Sequence, residues 1–197
     1  MLDWSTFMRR PAAFIDGARL ATCFDSGLRL ELCARLREAS RLQDRLSTLI
    51  IKHYALPAPI APEAVNEIDR KVALLPTQRL ADLIRRSGAI YWGNAIANVV
   101  LADEVRLLHE RLGEALCAFA RAKRALSGPA VAFAPLVAAP ARVMEDGRHC
   151  LAAWCQSQPE AVAARVRLKF PPSPDIDSAP PGPFAEIGPA IVRTAAP

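Results

Sequence analysis

Histidines and cysteines are the residues of this chain that could carry nucleophilic or metal chemistry, and they are scattered along it. His53, His109 and His149 fall on different predicted helices. None has an acidic or thiol partner at a catalytic spacing in the sequence. His149 and Cys150 are adjacent, and adjacent side chains on a helix point about 100° apart. This pair therefore cannot act from one helix face, although a Cys–His pair assembled between two helices stays open.

The five cysteines predict buried thiols rather than disulfides or a structural zinc site. Their number is odd and they contain no Cys-x-x-Cys pair. Cys33 and Cys117 fall on apolar faces of predicted helices, where a thiol behaves as a small hydrophobic group. Cys150 and Cys155 would point about 140° apart on a helix, which does not suit shared metal ligation. The remaining cysteine is Cys23. The sequence thus predicts no catalytic, cofactor-binding or metal-ligating residue; a Cys-dependent enzyme using Cys150 or Cys155 is kept as an alternative.

Phosphate-binding glycine motifs and membrane-spanning segments are also missing from the sequence. There is no GxxxxGK[ST] and no GxGxxG, so no loop is predicted to hold a phosphate. With 197 residues, 52% of them hydrophobic, the chain can bury one helical core. No apolar run approaches the ~20 residues that span a bilayer, and the N-terminus does not have the pattern of a secretory signal. We therefore expect a cytoplasmic protein.

Positive charge is spread thinly over the chain. The net charge is +5, with 21 arginines and 4 lysines. Acidic residues alternate with these arginines along the predicted helices, as on a solvated surface. Residues 77–101 resemble a helix-turn-helix in outline, but the second segment, residues 90–100, has no Arg or Lys to reach bases or phosphates. An Arg-rich helical regulator that binds nucleic acid is retained as the alternative function.

Apolar residues at helical spacing predict an all-α fold. A long helix is expected over residues 28–54, and a second from Pro62 to Leu75. Pro76 opens a third, which Gly88 is expected to cap; residues 89–100 are either a short helix or a connector. The clearest prediction is one helix over residues 103–126, with Gly113 inside it for close helix–helix approach. Two shorter helices are predicted at 142–157 and 159–168.

The predicted organisation is a single compact multi-helix domain, residues 1–170, followed by a tail. Residues 171–197 contain eight prolines and few large hydrophobic residues. Such a segment is expected to bury too little apolar surface to offset its chain entropy. We therefore predict a disordered Pro-rich tail.

A basic and aromatic group of residues near the end of the third predicted helix is the candidate protein-interaction site. It consists of Arg85, Arg86, Tyr91 and Trp92. Trp, Tyr and Arg are the residues that most often anchor protein interfaces. Trp92 fits an interface anchor and a core residue equally well, whereas Trp154, on the stripe with Cys150 and Leu151, is expected in the core.

Three ordered blocks of sequence resemble the SctK/YscK family, the cytosolic sorting-platform adaptors of bacterial type III secretion systems. The first block is Arg10-Pro11-Ala12-Ala13-Phe14-Ile15. The second contains Leu74-Leu75-Pro76, Leu80, Leu83, Gly88-Ala89, Val99-Val100-Leu101-Ala102 and Leu112-Gly113-Glu114-Ala115-Leu116. The third contains residues 144–147, Leu151-Ala152-Ala153-Trp154, Pro159 and Arg165-Val166-Arg167-Leu168-Lys169-Phe170-Pro171.

This resemblance implies a mainly α-helical, non-enzymatic adaptor without a cofactor. It implies that the protein links an SctD-like inner-membrane ring protein to an SctQ-like pod protein, and through the latter indirectly to the SctL/SctN ATPase complex. It implies a location at the cytoplasmic face of the inner membrane, held there by protein contacts only and without nucleic acid.

Overall fold

The computed structural model describes residues 2–24, 27–129 and 131–197. All regular secondary structure among these residues is helical. Helices, with short 3₁₀ turns included, account for 72% of the described residues, and no strand occurs among them. The predicted all-α fold is therefore confirmed. Cys33, Cys117 and Trp154, which were expected in the core, are all fully buried.

Thirteen helices follow one another along the described residues. They are α1 Trp4–Arg9, α2 Gly17–Ala21, α3 Leu30–Glu38, α4 Gln43–His53, α5 Glu67–Leu74, α6 Thr77–Tyr91, α7 Gly93–Asn98, α8 Ala102–Leu112, α9 Glu114–Ala122, α10 Ala139–Gln156, α11 Glu160–Arg167, α12 Pro174–Asp177 and α13 Gly182–Ala195. Short 3₁₀ turns lie at Pro11–Ala13, Ser40–Leu42, Pro62–Ala64, Arg124–Leu126 and Leu136–Ala138.

The chain forms two compact units, each assembled from two separate stretches of sequence. The first unit contains residues 1–78 and 155–177, and the second contains residues 79–154 and 178–197. The domain expected over residues 1–170 contributes to both. The second unit also includes residues from the segment that was expected to be a tail.

The C-terminal segment differs from the predicted disorder, because residues 182–195 form helix α13. Its buried residues recur at helical spacing: Phe184, Gly188, Ile191, Val192 and Ala195. Pro183 lies in the first turn, where a missing N–H does no harm. The proline count concealed this apolar stripe, which buries enough surface to order the segment.

The helix predicted over residues 28–54 is instead two helices, α3 and α4. Ala39 between them has an extended backbone, with φ −74° and ψ 95°. Cys33 and Leu46 are both buried, yet on one straight helix they would point about 140° apart. The break at Ala39 allows both to reach a core.

The helix predicted over residues 103–126 also breaks, at Gly113. This residue has a φ of +90°, in the left-handed region that favours glycine. It ends α8 and precedes α9. The expectation that Gly113 lies inside a helix is therefore wrong. The sequence did not reveal the break because the apolar stripe continues across it, with Leu112 and Cys117 buried on either side.

Gly88 does not cap α6, as was predicted, but lies inside it at a close helix crossing. A Cβ at Gly88 would lie 1.8 Å from the carbonyl oxygen of Val143, and one at Gly147 would lie 2.1 Å from that of Ile84. The backbones of α6 and α10 therefore touch at these two glycines. This crossing holds in place the C-terminal half of α6, which carries Arg85, Arg86 and Tyr91 of the candidate site.

A buried apolar cluster completes the second unit. Its members come from α6, α7, α8, α9 and α10: Ala89, Ile96, Leu108, Leu112, Cys117, Ala120, Ala139 and Val143. Trp92, Val99, Leu116, Phe133 and Leu136 pack against it.

Candidate protein-interaction site

Arg85 links α6 to the break between α8 and α9. Its Nη2 donates a 2.6 Å hydrogen bond to the carbonyl oxygen of Leu112, the last residue of α8. The last carbonyls of a helix have no partner within the helix and carry the negative end of its dipole. Arg85 is exposed and still fixes this helix end, so it combines a structural contact with access to solvent.

Arg86 lies over an aromatic ring of α9. Its guanidinium carbon is 4.4 Å from the ring centroid of Phe119, a cation–π distance. Both residues are half-buried. The ring supports one face of the guanidinium, whose planar fork is suited to bind a carboxylate.

Arg121 adds a third positive charge, on α9 one helical turn after the buried Cys117. Burial raises the pKa of the Cys117 thiol, while the positive charges of Arg121 and Arg85 oppose that change. Both arginines therefore contribute positive charge around the Cys117 thiol. We call Arg85, Arg86 and Arg121 the α6–α9 basic face. Sequence reasoning found the first two, whereas Arg121 and the supporting Phe119 were read only as parts of a helix.

Trp92 is half-buried, and both its indole ring and its ring nitrogen contact residues of the second unit. Its ring stacks on Phe133, with 4.3 Å between centroids. Its Nε1 donates a 2.6 Å hydrogen bond to Oδ2 of Asp146 on α10. Burial raises the pKa of the Asp146 carboxyl, and the hydrogen bond from Trp92 opposes that shift. Trp92 thus anchors the end of α6 to α10 and to the segment before it.

Tyr91 stacks on the C-terminal helix. Its ring centroid lies 4.4 Å from that of Phe184 on α13, and burial raises the pKa of its phenol. Of the four residues proposed from sequence, the two aromatic ones hold the end of α6 in place, whereas the two arginines contact α8 and α9 and carry positive charge.

Thiol chemistry finds no support in the geometry. Cys150 and Cys155 are fully buried. Burial raises the pKa of both thiols, that of Cys155 to about 12. A protonated, buried thiol is a poor nucleophile. His149 Nδ1 lies 3.5 Å from Oδ1 of Asp146, so this histidine is placed beside a carboxylate rather than a reactive thiolate.

The first unit contains buried cations that the sequence analysis did not single out. Arg165 on α11 donates from Nε to the carbonyl of Met8, from Nη1 to that of Ala161 and from Nη2 to that of Pro57, at 2.8–3.0 Å. The signal available in the sequence was the apolar surroundings of Arg165, since Ala161, Val162 and Val166 are buried beside it.

Lys169 follows α11 and is equally buried. Its Nζ donates to the carbonyls of Ala73 and Leu75 at the end of α5, at 2.6 and 2.7 Å. The same nitrogen lies 5.2 Å from the ring centroid of Phe7 and 5.4 Å from that of Phe14. Burial lowers its pKa to about 7.

Arg19 is the third buried cation of this unit. Its Nε donates to the carbonyl of Phe170, and its Nη2 contacts both carboxylate oxygens of Asp177 at 2.6 and 2.8 Å. Arg19, Arg165 and Lys169 therefore face inward, toward carbonyls and one carboxylate.

No helix in residues 2–24, 27–129 and 131–197 combines the length and apolarity needed to cross a membrane. The same residues contain no cluster of His, Cys, Asp and Glu with the arrangement of a metal site.

A family model described as YOP proteins translocation protein K (YscK) matches residues 4–195. No curated protein and no solved structure shows significant similarity to the chain. The match extends over all thirteen helices, including α13, and it confirms the resemblance seen in the sequence. The chain belongs to the YscK family and is a protein of the type III secretion system.

Proposed function

We propose that this protein is a non-enzymatic adaptor linking an SctD-like inner-membrane ring protein to an SctQ-like pod protein, at the cytoplasmic face of the inner membrane. The observation that carries the proposal is the family match over residues 4–195. Through the pod protein the adaptor would connect indirectly to the SctL/SctN ATPase complex. Protein contacts alone would hold it at the membrane, without a cofactor.

The α6–α9 basic face is the proposed contact for one of these partners. Arg86 is positioned by Phe119 and Arg85 by the end of α8, so little side-chain entropy is lost when they bind. Tyr91 and Trp92 support the face by fixing the end of α6. A partner with exposed carboxylates would fit it, since arginine binds carboxylates through paired hydrogen bonds.

The charge distribution favours a protein partner over nucleic acid. Three of the cations behind the net charge of +5 are buried, namely Arg19, Arg165 and Lys169. Nucleic-acid affinity depends on cations that reach phosphates and displace counterions. A salt titration with duplex DNA tests the alternative, which requires a steep loss of affinity with rising salt.

Charge reversal tests the basic face. The double variant Arg86→Glu/Arg121→Glu is expected to weaken binding of the ring or the pod protein by about 10-fold or more, because like charges would then meet in the interface. The matched control is Arg106→Glu/Arg111→Glu, which changes the same charge at exposed positions of α8. Binding is measured with the purified full chain and each purified partner.

Deletion of the whole protein tests the adaptor role itself. Secretion should stop while the membrane rings still assemble, because the adaptor joins the rings to the pods and is not part of the rings. Normal secretion in the deletion strain would refute the proposal. Equal losses in the test and control double variants would instead remove the basic face from it.

A further inference from the structure

A cavity of about 440 Å³ lies in the first unit, where the segment before α2 meets the start of α6. This volume is in the range of small-molecule sites in proteins. Two cations, Arg37 and Lys169, and one carboxylate, that of Asp16, line it. Thr77 and Gln78 add the first residues of α6, and the rest of the wall is apolar: Leu2, Ala13, Phe14, Ile15, Leu75 and Pro76. The proposed adaptor function uses none of these residues.

Lys169 brings an unused hydrogen-bond donor to this cavity. An ammonium has three N–H donors, and two of them go to the carbonyls of Ala73 and Leu75. No acceptor for the third occurs among the residues that the structure describes. The rings of Phe7 and Phe14 are at cation–π distance but supply no oxygen acceptor. Since Lys169 is 1% exposed, an acceptor held in the cavity would satisfy the third donor.

Two helices begin at the wall of this cavity, and they differ in how their first N–H groups are served. At the start of α2 the carboxylate of Asp16 accepts a 2.8 Å hydrogen bond from the N–H of Ala18. The 15-residue helix α6 follows Pro76, whose side chain has no acceptor, and its first turn contains no acidic residue. The first N–H groups of a helix lack partners within it and carry the positive end of its dipole. The start of α6 is therefore complementary to an anion from outside the chain.

Arg37 adds an exposed cation on α3. Its guanidinium makes no hydrogen bond and no ion pair with the residues that the structure describes. The adjacent Glu38 lies about 100° away around the helix. Among the described residues that line the cavity, Asp16 carries the one carboxylate, and Ala18 already occupies one of its oxygens. The groups that lack partners here are therefore mainly donors, as a bound anion requires.

We propose that this cavity binds a carboxylate that carries an apolar substituent. The carboxylate oxygens accept hydrogen bonds from Lys169, Arg37 and the first N–H groups of α6. The substituent packs on Phe14, Ile15 and Leu75, which form part of the apolar wall. The C-terminal residue of a polypeptide and a free organic acid share this chemistry. The proposal concerns the first unit alone and does not rest on the adaptor function.

Binding at this cavity is coupled to a proton on Lys169. Burial lowers the pKa of its ammonium to about 7, whereas a carboxylate bound beside it favours the charged form and raises that pKa. Above pH 7 the complex therefore takes up a proton, so the affinity should fall about 10-fold between pH 7 and 8.5. The other ionisable groups lining the cavity are Asp16 and Arg37, and side chains of these types ordinarily keep their charge over this range.

The probes are N-acetyl-leucine and N-acetylleucinamide, which differ only in the charge of the carboxyl group. NMR titration of the full chain at millimolar probe concentrations should show about 10-fold tighter binding of the carboxylate, because its hydrogen bonds are charge-assisted. Isocaproate has the same carboxylate and branched chain without the acylamino group, and it distinguishes the two sources. Tighter binding of N-acetyl-leucine than of isocaproate assigns the cavity to a chain end, and the reverse or equal affinity assigns it to a free organic acid.

Two variants test the cations of the wall. Lys169→Met should weaken binding of N-acetyl-leucine about 10-fold at pH 7 and remove its pH dependence. Arg37→Gln changes an exposed side chain without partners, so the fold is retained while binding should weaken about 3-fold. The matched control is Arg35→Gln, an exposed arginine of the same helix that does not line the cavity. The result for Arg37→Gln and the pH titration of the wild type do not depend on the stability of Lys169→Met.

Three results would overturn the proposal. The first is equal affinity of the wild-type chain for N-acetyl-leucine and N-acetylleucinamide, or binding of neither, since the carboxylate would then not be recognised. The second is an affinity for N-acetyl-leucine that stays constant as the pH rises above 7, because Lys169 would then not contact the carboxylate. The third is an equal change in Arg37→Gln and Arg35→Gln, which would place binding elsewhere.

Discussion

The two units of this protein hold their helices together by different means. In the first unit, buried cations donate hydrogen bonds to carbonyls at helix ends: Arg165 reaches α1 at Met8, and Lys169 reaches the end of α5 at Ala73. In the second unit Arg85 makes one such contact from an exposed position, whereas the buried helix crossings use glycines that let backbones touch. Gly88 and Gly147 do so where α6 meets α10, and a Cβ at Gly188 of α13 would lie 2.7 Å from the Cβ of Ala153.

The difference shows two solutions to the same problem, which is how to join short helices tightly. A long cationic side chain spans a gap and satisfies carbonyls that lack helical partners. A glycine removes the gap and lets dispersion contacts between backbones act. The first solution requires buried polar contacts and depends on charge, whereas the second depends on volume alone.

Arg165→Met should give the largest effect, because it removes the donors of three carbonyls in the first unit. Buried carbonyls left without partners, together with lost charge-assisted hydrogen bonds, should lower the free energy of unfolding by about 3–5 kcal/mol. Urea denaturation measures this loss. Arg41→Met, at an exposed position of a 3₁₀ turn, is the control and should change stability by less than ~0.5 kcal/mol. A similar small change for Arg165→Met would show that the apolar packing of the first unit is sufficient without this cation.

Gly88→Ala should give the next largest effect and tests the second unit. The added Cβ would meet the backbone of Val143, which cannot move aside as a flexible side chain does. Overpacking of this kind destabilises by about 1–3 kcal/mol. Gly182→Ala is the control, since a Cβ there has no neighbour within 4 Å. If Gly88→Ala unfolds at the same urea concentration as Gly182→Ala, the close crossing does not contribute to stability.

Helical periodicity was sufficient to predict the all-α fold and the order of most helices. It located α10, α11 and the buried Trp154 because an apolar stripe at a spacing of 3.6 residues reports directly on which face is buried. It missed the breaks at Ala39 and Gly113. Each break depends on where the chain must turn to meet its neighbours, and the stripe continues through both.

The buried cations and the candidate site were harder to predict, because the contacts of these residues are made with parts of the chain that are distant in sequence. Sequence shows that Arg165 is positively charged, but its carbonyl partners come from residues distant in the chain, such as Met8 and Pro57. Similarly, the sequence placed Arg85 and Arg86 on the third predicted helix but left Tyr91 and Trp92 in a segment of undecided structure, whereas α6 continues to Tyr91. The sequence could not show that Tyr91 and Trp92 support the site while the arginines carry its charge. These roles depend on contacts with three distant aromatic rings, those of Phe119, Phe133 and Phe184.

The smallest predicted effect is a pH dependence carried by Lys169. Burial lowers its pKa to about 7, whereas a lysine of the unfolded chain has a pKa of about 10.4. Between these values the unfolded chain binds a proton that the folded chain lacks. The contribution of Lys169 to stability is therefore fully present above the unfolded pKa and is lost as pH falls toward 7.

Relative to Lys169→Met, the wild type should gain about 1 kcal/mol of unfolding free energy per pH unit between pH 7 and 8.5. Urea denaturation of both proteins at several pH values measures the gain. Their difference cancels the buried thiols, which oppose it: burial raises the pKa of Cys23 to about 11, so unfolding lets that thiol ionise at high pH. Lys71→Met, at an exposed lysine of α5, and Gly88→Ala should both keep the wild-type slope. A wild-type slope in Lys169→Met would mean that the buried ammonium keeps an ordinary pKa, because the carbonyls of Ala73 and Leu75 and the two aromatic rings compensate for its burial.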